Sequence, residues 1–126
     1  MAMPSILIVD DEEGIRVALE RWFTLRGFAV DLAIDGVEAV EKCSQQRYDV
    51  ITMDLEMPRM NGLEAISVIR RSCPDIPIVV LSGFARDTEE VLGSGASKVL
   101  SKPLRLRELE DEVQELLSSR RHAVPD

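Results

Sequence analysis

Residues 5–11 read SILIVDD and residues 49–54 read DVITMD, and these two stretches decide the fold class. Each is a short apolar run, rich in β-branched residues, that ends abruptly in an acidic residue. Such runs are typical of strands that are buried on both faces, as in parallel sheets covered by helices. The sequence therefore predicts interior strands at Ser5–Val9 and Asp49–Met53.

Helical and strand patterns alternate along the rest of the chain. Apolar residues recur at helical spacing in four segments: from Glu13 to a stop at Gly27, over Val37–Gln46, from the end of an Asn61-Gly62 loop through Arg71, and after Pro103. A weaker short helix is predicted from Asp87 to about Gly93, and further strands at Phe28–Ala33, Ile76–Leu81 and Lys98–Ser101. Five strands alternating with five helices predict a doubly wound α/β fold with a five-stranded parallel sheet and helices on both faces.

The composition favours one soluble domain without a nucleic acid or membrane surface. The chain has 126 residues, of which 45% are hydrophobic and 30% charged, and its formal net charge is -8. This charge disfavours direct binding to nucleic acid or to anionic membranes, and the apolar runs are too short to span a bilayer. We expect a cytoplasmic domain over residues 1–121, with residues 122–126 as a tail or the start of a linker. Cys43 and Cys73 lack metal or redox spacing and are expected to be reduced thiols.

Polar residues stand at the end of each strand except the second. Asp10 and Asp11 follow the first strand, Asp54 the third, Ser82 the fourth and Lys102 the fifth. In a parallel sheet these ends lie along one edge, where doubly wound folds place their sites. The sequence therefore predicts that residues far apart in the chain meet in one shallow cleft.

Three carboxylates in one cleft require positive charge. At a separation of 4 Å and an effective dielectric of 20, each pair repels by about 4 kcal/mol. Lys102 supplies one positive charge, and an oxygen-rich cluster with room for water suits a small hard dication. We therefore predict a Mg²⁺ site, with Mn²⁺ as a substitute.

Once its charge is offset, one carboxylate can attack phosphorus and form an acyl phosphate. Asp54 stands alone after an apolar strand, whereas the adjacent Asp10 and Asp11 are better placed to hold a cation. Ser82 can donate a hydrogen bond to one phosphoryl oxygen, and Lys102 can pair with another. The predicted chemistry is phosphoryl transfer to Asp54.

Four segments resemble the signature segments of bacterial response regulator receiver domains, the phosphoacceptor switches of two-component systems. They are ILIVDDE (6–12), VITMDLEMPRMNG (50–62), IPIVVLSGFA (76–85) and LSKP (100–103). The resemblance covers nearly the whole chain and implies a chemotaxis-regulator-like, flavodoxin-like fold with strand order 2-1-3-4-5. It also implies that Lys102-Pro103 is joined by a cis peptide, which only a following proline makes accessible.

The resemblance implies a role for each residue of the cleft. Asp54 would be the phosphoacceptor, Asp11 and Asp54 metal ligands, and Asp10 an assisting group, acting through water. The backbone carbonyl of Glu56 would be a further metal ligand. Ser82 would be the switch hydroxyl and Lys102 the phosphate-binding lysine.

The resemblance also implies the partners. A sensor histidine kinase, a phosphotransfer protein or a small phosphodonor would supply the phosphoryl group, and a downstream protein or attached output domain would receive the signal. Catalysis would be limited to the domain's own phosphorylation and dephosphorylation, so the chain would not be an enzyme. The oligomeric state is left open by the sequence.

One position departs from the family pattern. Receiver domains commonly carry Tyr or Phe three residues before the lysine, whereas this chain has Val99. Valine cannot exchange between exposed and buried aromatic rotamers. We therefore expect the fifth strand to change less on activation than in most receivers.

Other functions fit the same residues less well. A flavin-binding module of this architecture requires a phosphate-cradling loop after the first strand, where the acids at 10–12 would repel an anion. A metal-dependent phosphatase with an aspartyl nucleophile usually has a second aspartate where Glu56 stands, and a longer chain. A degenerate receiver is a third alternative, against which the complete set of site residues argues. Taken alone, Asp10 and Asp11 fit the start of a helix better than a metal site, and only the polar residues at the other strand ends reverse that preference.

Overall fold

The computed structural model describes residues 3–57, 60–83 and 88–122. The strands are β1 (Ser5–Val9), β2 (Ala29–Ala33), β3 (Val50–Asp54), β4 (Ile78–Ser82) and β5 (Lys98–Ser101). The helices are α1 (Glu13–Leu25), α2 (Gly36–Gln45), α3 (Gly62–Ser72), α4 (Thr88–Gly93) and α5 (Leu106–His122). This alternation confirms the predicted α/β class.

The five strands form one parallel sheet in the order β2-β1-β3-β4-β5. Its register brings the carboxyl ends of the strands together, because Val9 pairs with Met53, Asp54 with Leu81, and Ser82 with Ser101. The strand order confirms the order implied by the family resemblance. The sheet therefore has one edge at which the site residues can meet.

Alternate residues of the central strands face opposite sides of the sheet, which gives the domain two cores. Leu7 and Val9 of β1 belong to the core that α2, α3 and α4 cover. Ile6 and Ile8 belong to the core that α1 and α5 cover. These strands are buried on both faces, which explains why they read as continuous apolar runs rather than alternating ones.

The predicted boundaries differ from the observed ones by one or two residues. Asp54 and Ser82 are the last residues of β3 and β4 rather than the residues after them. The second helix begins at Gly36 and ends at Gln45, one residue earlier at each end than the predicted Val37–Gln46. Gly27 ends α1 as predicted and has a φ of 89°, a conformation that glycine adopts without steric cost.

Two predictions fall partly outside the described residues. The predicted start of the fourth helix at Asp87 lies outside them, although α4 ends at Gly93 as expected. The domain boundary after Arg121 falls at the end of α5, and residues 123–126 lie outside. Within the described ranges, no helix combines the length and apolar character needed to cross a membrane.

Candidate functional site

The carboxyl ends of the strands bring the predicted site residues together. Asp10 follows β1, and its backbone N–H donates to the carbonyl of Ala33 at the end of β2, at 3.1 Å. Asp54 and Ser82 end the neighbouring strands β3 and β4. Lys102 follows β5, and its backbone N–H donates to the carbonyl of Ser82 at 2.8 Å. Backbone pairing thus positions each side chain at the same edge.

Asp10, Asp11 and Asp54 each offer a carboxylate oxygen within 4.8 Å of the others. Asp10 and Asp54 are buried, whereas Asp11 is exposed. Asp10 Oδ1 accepts a hydrogen bond from the Glu12 backbone at 2.9 Å, but its buried Oδ2 accepts none from any described residue. A buried carboxylate oxygen without a donor, beside two more carboxylates, fits an oxygen-seeking dication.

Lys102 supplies positive charge directly to Asp54. Its Nζ lies 2.9 Å from Asp54 Oδ1, which also accepts a hydrogen bond from the Glu56 backbone N–H at 3.2 Å. Burial alone would lower the pKa of Lys102, but its hydrogen bond to Asp54 and the surrounding carboxylates outweigh this effect and raise it. Lys102 is therefore charged at neutral pH.

The carboxylates themselves are held in an unfavourable environment. Burial raises the pKa of Asp54 to about 6, and the charge of Asp10 adds to this effect, against the opposing contact with Lys102. Burial likewise raises the pKa of Asp10. One lysine therefore does not compensate for the cluster, and a bound cation would lower both pKa values.

Glycine at position 62 permits a close approach of α3 to the end of β3. The backbone N–H of Gly62 donates to the Leu55 carbonyl at 3.3 Å, and a Cβ added at Gly62 would lie 2.7 Å from the Asp54 carbonyl oxygen. Asn61 caps α3 by accepting from the Glu64 backbone N–H at 3.0 Å. The Asn-Gly pair, predicted only as a loop, therefore caps and begins α3 close to the backbone of Asp54.

Ser82 and Glu56 make a contact that the sequence analysis missed. Ser82 Oγ donates to Glu56 Oε2 at 3.1 Å, and the Gly83 backbone N–H donates to Glu56 Oε1 at 2.8 Å. The resemblance assigned a role only to the backbone carbonyl of Glu56. The position of Glu56, two residues after Asp54, was the signal that its side chain could reach the end of the adjacent strand.

Two further expectations concern β5 and the turn after it. The Lys102-Pro103 peptide bond is cis, as the resemblance implied. Val99 is half-buried in β5 and packs against the core covered by α2, α3 and α4. Its reduced role in switching stays a prediction.

Residues 6–114 match the response regulator receiver domain family, and the chain belongs to that family. It is 40% identical over 123 residues to the response regulator MprA of Mycobacterium leprae, an alignment covering 96% of this chain and 53% of MprA. The chain thus spans about half the length of the curated relatives it matches. The expectation of no nucleic acid binding accordingly applies to these 126 residues and not to a longer protein.

Solved receiver domains share the fold, and two of them contain magnesium. The receiver domain of sensor histidine kinase PA1611 from Pseudomonas aeruginosa PAO1, with a magnesium ion in its active site cleft, is 30% identical with a TM-score of 0.85, covering 93% of this chain and 99% of that one. Response regulator TrrA from Thermotoga maritima, in complex with Mg²⁺ and BeF, is 32% identical with a TM-score of 0.83, covering 90% and 99%.

Proposed function

We propose that this receiver domain is a phosphorylation-controlled switch in which Asp54 accepts the phosphoryl group. The observation that carries the proposal is the environment of Asp54: a buried carboxylate at a strand end, 2.9 Å from the ammonium of Lys102 and within 4.8 Å of two more carboxylates. A sensor histidine kinase, a phosphotransfer protein or a small phosphodonor supplies the group. The chain acts in the cytoplasm and catalyses no reaction beyond its own phosphorylation and dephosphorylation.

The transfer is a displacement at phosphorus. A carboxylate oxygen of Asp54 attacks the phosphorus atom while the bond from phosphorus to the donor breaks, and the leaving group keeps the bonding electrons. With a phosphohistidine donor, the leaving group is the imidazole nitrogen. Asp54 must be ionised to attack, and Lys102 favours the ionised form while remaining close enough to meet the new phosphoryl oxygens.

The acidic cluster holds the dication that this chemistry requires. Asp11 and Asp54 would bind Mg²⁺ through carboxylate oxygens, Glu56 through its backbone carbonyl, and Asp10 would assist through water, with Mn²⁺ as a substitute. The buried Asp10 Oδ2, which accepts no hydrogen bond from the described part of the chain, supports this assignment. When bound, the ion neutralises charge that develops on the transferring group.

Ser82 and Lys102 transmit the change. Ser82 ends β4, the neighbour of β3, and Lys102 follows β5 with its Nζ 2.9 Å from Asp54 Oδ1. Each can make contacts with the phosphoryl group that are absent before transfer. A ligand shifts a conformational equilibrium only through such differential contacts. The altered surface then regulates a downstream protein or an attached output domain, and any nucleic acid binding would reside outside these 126 residues.

The test is incubation with acetyl phosphate and Mg²⁺, followed by intact mass measurement. Wild type is expected to gain one phosphoryl group, and Asp54→Asn is expected to gain none because its amide is not a nucleophile of this kind. Asp111→Asn, at an exposed position in α5, is the matched control and should behave as wild type. Absence of the mass gain in wild type would refute the proposal.

A further inference from the structure

The side chain of Glu56 engages two hydrogen-bond donors beside Asp54. Its Oε2 accepts from the Ser82 hydroxyl at 3.1 Å, and its Oε1 accepts from the Gly83 backbone N–H at 2.8 Å. A Cβ added at Gly83 would lie 3.8 Å from Glu56 Oε1 and 3.9 Å from Lys102 Cδ. The Glu56 carboxylate therefore lies at the end of β4, in the neighbourhood of Lys102.

These donors lie next to the place where an anion would form. Asp54 pairs with Leu81, so Ser82 is one position further along the adjacent strand, and neighbouring strands are only about 4.8 Å apart. A phosphoryl group on Asp54 brings several oxygens that require donors. The described residues offer four such donors near Asp54: Lys102 Nζ, the backbone N–H groups of Glu56 and Gly83, and the Ser82 hydroxyl.

We propose that Glu56 is an internal competitor of the phosphoryl group. Before transfer, its carboxylate holds the Ser82 hydroxyl and the Gly83 amide, and it must leave both before they can bind phosphoryl oxygens. This inference rests on the proposed function and deepens it, because it names a side chain that controls how readily Asp54 is modified. The family resemblance implies a role only for the backbone carbonyl of Glu56, and this proposal adds a role for its side chain.

Two physical effects make the occupancy exclusive. A carboxylate and a phosphoryl group seek the same donors, and the Ser82 hydroxyl has a single hydrogen to donate. Both groups are also negatively charged, so they repel each other in a partly buried site. The movement of Ser82 from one anion to the other supplies the two states that a switch requires.

Removal of the Glu56 charge should favour every anion at this site. Glu56→Gln keeps the side-chain length but replaces two charged acceptor oxygens with one neutral amide oxygen. Glu56→Ala removes the competing group altogether. We expect phosphorylation by acetyl phosphate to become about tenfold faster and beryllofluoride to bind about tenfold tighter in both variants, the factor that corresponds to one charge-assisted hydrogen bond.

The experiment compares wild type, Glu56→Gln, Glu56→Ala and Glu12→Gln with Mg²⁺ present. Initial phosphorylation rates come from intact mass, and beryllofluoride affinity comes from isothermal titration. Glu12 lies close enough to Asp10 to raise its pKa but is exposed, so Glu12→Gln removes one charge near the site without releasing Ser82 or Gly83. That control is expected to change the rate by less than about twofold, within the range of a surface charge.

A readout independent of phosphorylation is the Gly83 amide resonance in the free protein. Loss of its 2.8 Å contact with a carboxylate should shift the amide proton upfield in Glu56→Ala but leave it unchanged in Glu12→Gln. In a Ser82→Ala background, Glu56→Gln should accelerate phosphorylation less than in wild type. One of the two donors for which Glu56 competes, the Ser82 hydroxyl, is then absent.

The outcomes separate the two proposals. If wild type is modified on Asp54 and both Glu56 variants react at its rate, the competitor role is overturned and the proposed function stands. Equal acceleration in Glu12→Gln also overturns it, since the cause would then be net charge. If wild type takes up no phosphoryl group, both proposals fall.

Discussion

The most informative perturbation is Asp10→Asn, which removes one charge from the acidic cluster. Asp10 and Asp54 present oxygens within 4.8 Å of each other, and at an effective dielectric of about 20 two charges at that distance repel by about 3.5 kcal/mol. The positive charge of Lys102 offsets part of this repulsion. Without Mg²⁺, we therefore expect Asp10→Asn to raise the free energy of unfolding by about 1 to 3 kcal/mol.

The assay is urea unfolding at pH 7.5, followed by circular dichroism, with EDTA and then with Mg²⁺. Mg²⁺ should stabilise wild type by mass action, because it binds the folded cluster, and should stabilise Asp10→Asn much less. The advantage of the variant should therefore shrink or reverse when Mg²⁺ is added. Asp111→Asn makes the same chemical change at an exposed position and should match wild type in both conditions.

The pH dependence of the same comparison has a definite sign. The pKa of folded Asp54 is raised from 3.8 to about 6, so its stabilising contribution is complete below pH 3.8 and is lost as pH rises through 6. The gain from Asp10→Asn should accordingly be small at pH 5 and larger at pH 7.5. A variant that is less stable than wild type in EDTA at pH 7.5, or that Mg²⁺ stabilises equally, would refute the electrostatic reasoning.

Three further predictions concern other residues of the domain. Gly62→Ala should lower the free energy of unfolding by about 2 kcal/mol, because the new Cβ would lie 2.7 Å from a backbone oxygen. Gly14→Ala is the control, since a Cβ at that position would meet no atom within 4 Å and should not destabilise the domain. Equal urea midpoints for the two variants would contradict this prediction. Tyr48→Phe removes a 2.6 Å hydrogen bond to Asp31 and should cost about 1 kcal/mol at pH 7. Burial alone would raise the pKa of Asp31, but the hydrogen bonds that Asp31 accepts lower it. The stability that Asp31 contributes is therefore lost as pH falls, so the cost of Tyr48→Phe should decline towards pH 3. An Asp31 carboxyl that titrates in NMR without a lowered pKa would contradict this. On phosphorylation, the amide shifts around Val99 should change less than those at the end of β4, and larger changes in β5 would contradict this.

Much of the fold could be predicted because its signals are local. The runs around Ile8 and Thr52 are apolar on both faces, which is the pattern of a central parallel strand, and Gly27 marks the end of α1. Boundaries were less accurate at Asp54 and Ser82. Their polar side chains indicate a strand end, but backbone pairing with the neighbouring strand continues through them.

Most of the candidate site could also be predicted from the sequence. Parallel topology requires that strand ends meet at one edge, so the approach of Asp10, Asp54 and Lys102 follows once the strands are identified. The close approach at Gly62 was not predicted. An Asn-Gly pair indicates a turn or a helix cap in many contexts, and only the tertiary structure shows the backbone that passes within 3 Å of the missing Cβ.

Which side chains stand at the strand ends can be read from the chain alone, because the change from apolar to polar residues is encoded along it. How those side chains pair depends on the three-dimensional fold. Glu56 and Ser82 are 26 residues apart, and their hydrogen bond depends on the register of β3 against β4 and on the direction of one flexible side chain. Such pairings lie among alternatives of similar local energy, so packing and electrostatics of the whole site select between them.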